Sequence, residues 1–454
     1  MATPDPVPAP QLERVLSLPA LVLFGLVYLV PLTVFTTYGL VTLQTGGRLP
    51  TAYLITLVAM TFTALSYGAM VRAFPVAGST FTYARAVFGP YVGFLAGWSL
   101  LLDYLFLPMI NYLVIGLYLH AEFPAVAAWV FILVSIAAVT ILNVIGIESV
   151  ARANTVIITA QILFVVVFVA AGLALLSGEA VPLWEPFVGN ASYAAGGVDP
   201  SIGLGPLLAG AAVLCLSFLG FDAVSTMAEE TPEPRRDIPR AIAWVTLCGG
   251  LLFTLLAYIG HLVLPTPRCL PALEAGCTFG DTAALDLMQR TGGRAMSVFF
   301  LAAYVAGAFG SALTSQASVS RILYTMGRDG VLPRGLVGRL DARFGTPVPA
   351  ILLVSALSLL AVWMSLDLLA SMISFGALVA FSVVNLAVIK HYLIDRGPES
   401  GWFRHGVLPA IGCVLTGWLW TSLSRQSLLV GLEWLAAGTI YVAVVTRGFR
   451  RALH

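Results

Sequence analysis

Apolar residues run along this chain in long blocks, without the short-period alternation of a soluble fold. About twelve such blocks lie near 18–44, 51–73, 90–118, 124–145, 153–176, 206–229, 240–264, 295–326, 348–365, 367–391, 405–424 and 428–446. A helix needs about 20 apolar residues to cross a bilayer. Inside hydrocarbon the backbone must bond to itself, so each block is predicted to be α-helical. The pattern predicts an all-α membrane protein with twelve transmembrane helices.

Composition supports lipid as the outer solvent. Of 454 residues, 59% are apolar and 10% charged, against roughly 25% charged in soluble domains. A net charge of +1 points to no nucleic-acid partner. Placement of charge is more informative than its sum. With the N-terminus inside, 18 of the 23 Lys and Arg fall on the cytoplasmic side; the other five are Arg48, Arg268, Arg290, Arg294 and Arg425. This asymmetry predicts a cytoplasmic-membrane protein with both termini in the cytoplasm.

The first residues are Pro-rich and polar and carry no signal-peptide pattern, so 1–17 is expected to be a disordered cytoplasmic tail. Cys215, Cys248 and Cys413 lie in apolar runs and read as small buried hydrophobes. Cys269 and Cys277 share a predicted outside loop, where either a disulfide or two free thiols would be compatible. HExxH, CxxC and Walker-type runs are lacking. His120, His261, His391, His405 and His454 lie near span ends or at the terminus, without metal-ligand spacing. These features argue against an enzyme, a bound metal or a cofactor.

Two spans carry interruptions of the kind that frees backbone groups for a ligand or ion near the midplane. The first contains Val30-Pro31-Leu32-Thr33-Val34, where Pro31 cannot donate to the carbonyl of Val27. The sixth contains Ser217-Phe218-Leu219-Gly220-Phe221-Asp222. They occupy equivalent places in two sets of five spans. That placement predicts inverted repeats at 18–176 and 206–391, joined by an extracellular loop at 177–205. Residues 392–454 then supply two further spans and a short cytoplasmic C-terminus.

Three stretches carry a family resemblance. They are Ala64–Gly68 with Phe74-Pro75-Val76-Ala77-Gly78-Ser79-Thr80-Phe81-Thr82-Tyr83; Gly220-Phe221-Asp222 with Glu229-Glu230-Thr231 and Asp237–Ile242; and Ser320–Tyr324 with Arg328-Asp329-Gly330 and Thr346-Pro347-Val348. In this order they resemble the amino acid–polyamine–organocation (APC) transporters, from the first span to the tenth. The resemblance implies a LeuT-like bundle with discontinuous helices 1 and 6. The run Gly97-Trp98-Ser99-Leu100-Leu101-Leu102-Asp103-Tyr104 through Asn111 is similar to the third helix of bacterial putrescine importers, as is Val34-Phe35 followed by Tyr38-Gly39. That branch implies proton-driven import of a small diamine by alternating access; an amino-acid importer or exchanger is the alternative. The implied partners are a small diamine or amino acid, protons and the lipid bilayer.

Asp103 stands in the middle of an apolar span, where a charge is expensive and points to function. By the resemblance, Asp103 and Tyr104 fall on substrate-lining positions, and a carboxylate there would bind an ammonium. Pro108 leaves the Tyr104 carbonyl as a second acceptor. Asp222 follows the sixth-span break and is a candidate for the amine or for the coupled proton; a structural cap is its bland reading. The expected lining adds Pro31, Leu32, Thr33, Val34, Leu216, Leu219, Gly220, Phe221 and Ser315. Gln161, Ser311 and Thr314 join Asp222 as candidates for proton coupling.

The chain departs from the family at three places. Pro31-Leu32-Thr33 stands where amino-acid branches carry a glycine-rich run, which weakens a carboxylate nest. Neutral Gln161 stands where many members place a lysine, and no sodium site is expected. Leu216 replaces an aromatic gate, leaving Phe218, Phe221 and Phe375 as possible covers. Arg72, Glu148, Arg152, Glu229, Glu230, Arg235 and Arg236 cluster at cytoplasmic ends, as an inner gate or as solvated charge.

Overall fold

The computed structural model describes residues 14–77, 79–176, 182–189, 204–264, 279–364, 366–395, 401–421, 423 and 425–446. Cys269, Cys277 and most of the loop at 177–205 lie outside them, as does the Glu148 side chain. The described residues form helices and connections, with no strand among them.

The first apolar block is two helices, α1 (Leu18–Leu29) and α2 (Thr33–Gln44). They are followed by α3 (Leu49–Ala73), α4 (Ser79–Phe88), α5 (Pro90–Glu122), α6 (Ala128–Ile145), α7 (Ile147–Leu176) and the single turn α8 (Glu185–Val188). Beyond the loop come α9 (Leu204–Leu214), α10 (Pro234–Val263), α11 (Phe279–Arg328) and the short α12 (Arg334–Val337). The last are α13 (Val348–Ser358), α14 (Leu366–Ile389), α15 (Leu408–Thr421) and α16 (Arg425–Val445).

Among the described residues, nine helical runs are long and apolar enough to cross a membrane. The other three predicted blocks are also helical, but their apolar helices are shorter: Val348–Val362, Leu408–Thr421 and Leu428–Val444. The helix of the eighth block begins sixteen residues before the predicted 295, because α11 runs on through a kink. There Gly292 and Gly293 leave helical geometry, the latter with φ of 64°, a conformation that glycine adopts without a Cβ penalty. Outward positions carry apolar side chains, including Val156, Leu163 and Val166 on α7 and Val134 and Ile141 on α6. Such a surface fits hydrocarbon rather than water.

α3 packs along α10, and α5 is held between α11 and α14. At the α5–α14 crossing, a Cβ on Gly376 would come within 2.8 Å of the Asp103 backbone nitrogen. Glycine there lets α14 close directly over the Asp103 turn. A second clamp fixes α16 to α5. Trp98 Nε1–H donates to the Trp434 carbonyl at 2.8 Å, and Trp434 Nε1–H donates to the Trp98 carbonyl at 2.7 Å. Their rings stack at 4.7 Å.

Trp434→Ala removes the stack and one of these bonds and should cost about 3 kcal/mol. Trp434→Phe keeps a ring and should cost about 1 kcal/mol. Thermal unfolding in detergent checks both; an unchanged midpoint for Trp434→Ala would show that the clamp contributes nothing.

Candidate substrate-binding site

The first break starts one residue before Pro31. Val30 has φ of 50°, an outlying conformation for a β-branched residue. The sixth block breaks similarly. α9 passes into a 3₁₀ turn at Cys215–Phe218, Gly220 takes φ of 131°, and a second 3₁₀ run covers Ala223–Glu230.

The two breaks touch. A Cβ on Gly220 would lie 2.6 Å from Tyr28 Cδ1, so the Tyr28 ring on the last turn of α1 occupies the space that glycine leaves. That ring also meets Tyr104 edge-on at 6.2 Å. The Tyr104 hydroxyl donates to Asp222 Oδ2 at 2.6 Å, and the Gly220 N–H donates to Asp222 Oδ1 at 3.2 Å. Both oxygens of Asp222 are thereby engaged, and α5 is tied to the sixth break.

Asp103 is placed differently. It is 1% exposed, and its Oδ1 accepts no hydrogen bond. The buried Tyr28 hydroxyl likewise has no partner. Buried polar atoms normally find partners, because desolvation without compensation is costly. A carboxylate oxygen and a phenol oxygen are thus both left open, and a protonated amine is a group that could donate to either.

Backbone groups freed by the first break are met by side chains. In an unbroken helix the Tyr28 carbonyl would accept from the Leu32 N–H. Here Ser311 Oγ donates to it at 2.9 Å, and Asn111 Nδ2 donates to Ser311 Oγ at 3.0 Å and to the Leu107 carbonyl at 2.8 Å. The Thr33 N–H turns to the Val30 carbonyl at 2.8 Å, while the Thr33 hydroxyl donates to the Leu29 carbonyl at 3.2 Å. Pro31, Leu32 and Val34 are buried around these groups.

The other predicted residues divide. Gln161 is buried beside Val30 and Gly307 at the first break, and neither of its polar atoms has a partner. Thr314 and Ser315 spend their hydroxyls on carbonyls of their own helix, at 2.9 and 2.6 Å. Leu219 is buried and Leu216 half-buried. Phe221 packs on Tyr67 and Phe381, and Phe218 on Phe253. Phe375 faces Trp420 and Gly431, which puts its ring against α15 and α16.

The acidic end of the sixth block is bonded, not merely solvated. Glu230 forms a two-pronged ion pair with Arg321, with Nη2–Oε2 at 3.0 Å, and both side chains are buried. Arg321 Nη1 also donates to the Ala317 carbonyl at 2.8 Å. The Leu16 N–H donates to the Glu230 carbonyl at 3.0 Å. Glu229 pairs with Arg328 at 3.0 Å, and Arg85 with Asp329 at 2.5 Å. Arg236, by contrast, bonds Glu233 at the exposed surface.

Tyr28 and Asn111 also stand at the first break, although the sequence pattern did not single them out. A polar-tipped aromatic two residues before a break was the available signal for Tyr28. Asn111 stood within the run quoted for the third span.

The sequence profile of the amino acid permease family matches residues 21–436. The low-affinity putrescine importer PlaP of Escherichia coli is 38% identical over 451 residues, covering 97% of this chain and 95% of that protein. The branched-chain amino acid permease BcaP of Bacillus subtilis is 26% identical over 466 residues, covering 96% and 94%. The methylthioribose transporter of Bacillus subtilis is 25% identical over 460 residues, again covering 96% and 94%.

Glu230→Leu strands a buried guanidinium and should cost about 3–5 kcal/mol. The pair replacement Glu230→Leu with Arg321→Leu should cost less than either single change. Thermal unfolding of the three variants checks this; additive losses would contradict a coupled pair.

Proposed function

Because this chain belongs to the amino acid permease family, we propose that it is a secondary active transporter importing putrescine or a related small organic cation by alternating access. Asp103 carries the reading. Its carboxyl is buried with an oxygen that has no partner, next in sequence to Tyr104, whose ring meets Tyr28 at the first break and whose hydroxyl bonds Asp222 at the sixth. A primary ammonium supplies three N–H donors and the compensating charge. The Tyr104 carbonyl, which Pro108 cannot engage, is a further acceptor.

The first break suits a substrate without a carboxylate. Pro31 has no N–H, and the N–H and hydroxyl of Thr33 are both spent on carbonyls. The long identity with a putrescine importer supports the same substrate class.

The architecture we propose is twelve spans, with inverted repeats at 18–176 and 206–391 and two appended helices. The protein lies in the cytoplasmic membrane with both termini inside. The matched breaks support the repeats, and the arginine asymmetry supports the orientation. Import is coupled to protons. Asp222 is our candidate carrier, because adding a proton would disturb its bonds to Tyr104 and Gly220 and so loosen α5 from the sixth break. Gln161 and Ser311 line the first break opposite it, with Thr314 one helical turn beyond Ser311.

Uptake of labelled putrescine into proteoliposomes under a pH gradient tests the function. If a neutral amino acid enters while putrescine neither enters nor competes, the diamine reading is wrong. Asp103→Asn should weaken putrescine binding about 30-fold or more while the protein stays folded; normal affinity would make Asp103 structural. Asp222→Asn should flatten the pH dependence of uptake, and an unchanged pH profile would remove Asp222 from the proton path.

A further inference from the structure

On the flank of the bundle, α3, α10, α14 and α15 leave a small crevice. Leu65, Ala69, Ala243, Val388 and Leu408 make its walls apolar, and Arg72 and Arg404 are the charged residues lining it. Both arginines are exposed, and none of the described residues lining the crevice is acidic. Ser66 also lines it. Its hydroxyl is buried and has no hydrogen-bond partner.

The setting adds a second clue. Arg404 lies in a π-helical turn, Phe403–Val407, directly after Trp402. Trp402 is 75% exposed and Phe403 63% exposed. Aromatic rings beside arginine mark the headgroup level of a bilayer. By the charge asymmetry, this is the arginine-rich, cytoplasmic leaflet.

We propose that this crevice binds one anionic phospholipid. Its phosphate is held by the Arg72 and Arg404 guanidiniums, and an acyl chain lies along the apolar wall past Ser66. Guanidinium groups match phosphate oxygens in geometry and charge. The apolar wall distinguishes the occupant from a soluble phosphate, which would gain nothing from it. Basic pockets between spans on the cytoplasmic side suit anionic headgroups. The bound lipid would bridge α3 to α10 and α14, elements from the two halves of the chain.

The test is native mass spectrometry of the delipidated full-length protein, with dioleoylphosphatidylglycerol, dioleoylphosphatidylcholine and soluble glycerophosphate as separate additions. Its readout is lipid retention, so it is independent of the transported substrate. One phosphatidylglycerol per chain should be retained, about tenfold more tightly than phosphatidylcholine. Arg72→Gln with Arg404→Gln should erase that preference. Ala243→Trp fills the crevice and keeps both arginines, so it should lower retention even if the double variant does not fold. Equal binding of the two lipids, displacement of phosphatidylglycerol by equimolar glycerophosphate, or full retention in Ala243→Trp would each overturn the proposal.

Discussion

A helix that stops inside hydrocarbon leaves N–H and C=O groups that water cannot reach, and each must be met by something else. This protein has two such stops in contact, and the surrounding helices are arranged to answer them. Ser311 reaches from α11 to the Tyr28 carbonyl, Asn111 on α5 steadies Ser311, and Thr33 folds back onto Leu29. Tyr104 and the Gly220 N–H occupy the Asp222 carboxyl. These bonds draw α5, α11 and both breaks to one point.

What remains open there is informative. With Asp222 engaged, Asp103 Oδ1, the Tyr28 hydroxyl and the Gln161 amide are among the described polar groups near the breaks that have no partner. The two carboxyls thus differ: Asp222 ties α5 to the sixth break, while Asp103 Oδ1 has no partner, and that contrast is what supports the proposal of Asp103 as the amine ligand. The Gly376 contact closes α14 over the Asp103 turn, which keeps that carboxyl from water. Away from the centre, the buried Glu230–Arg321 pair and the Leu16 backbone bond secure the far end of the sixth block.

The helical architecture was legible in the chain because lipid permits few alternatives. Apolar length alone located the helical blocks, and Pro31 and Gly220 marked the breaks. The details that escaped depend on tertiary partners. The first break begins at Val30 because the left-handed turn precedes the proline. The kink at Gly292–Gly293 looks in sequence like any other glycine pair in a membrane helix. Asp103 and Asp222 both stood out as carboxylates in apolar runs. Which of them was already satisfied depends on Tyr104, 118 positions away from Asp222. Phe375 could be either a cover or packing in sequence, because an apolar ring carries no sign of which neighbour it faces; here it faces Trp420.

The most direct measurement is a substrate-bound structure of the protein with putrescine. A nitrogen of putrescine should stand about 3 Å from Asp103 Oδ1 and within hydrogen-bond reach of the Tyr28 hydroxyl, with the Tyr104–Asp222 bond retained in the occluded state. Putrescine bound elsewhere, with Asp103 Oδ1 still without a partner, would contradict the assignment of Asp103 as the amine ligand.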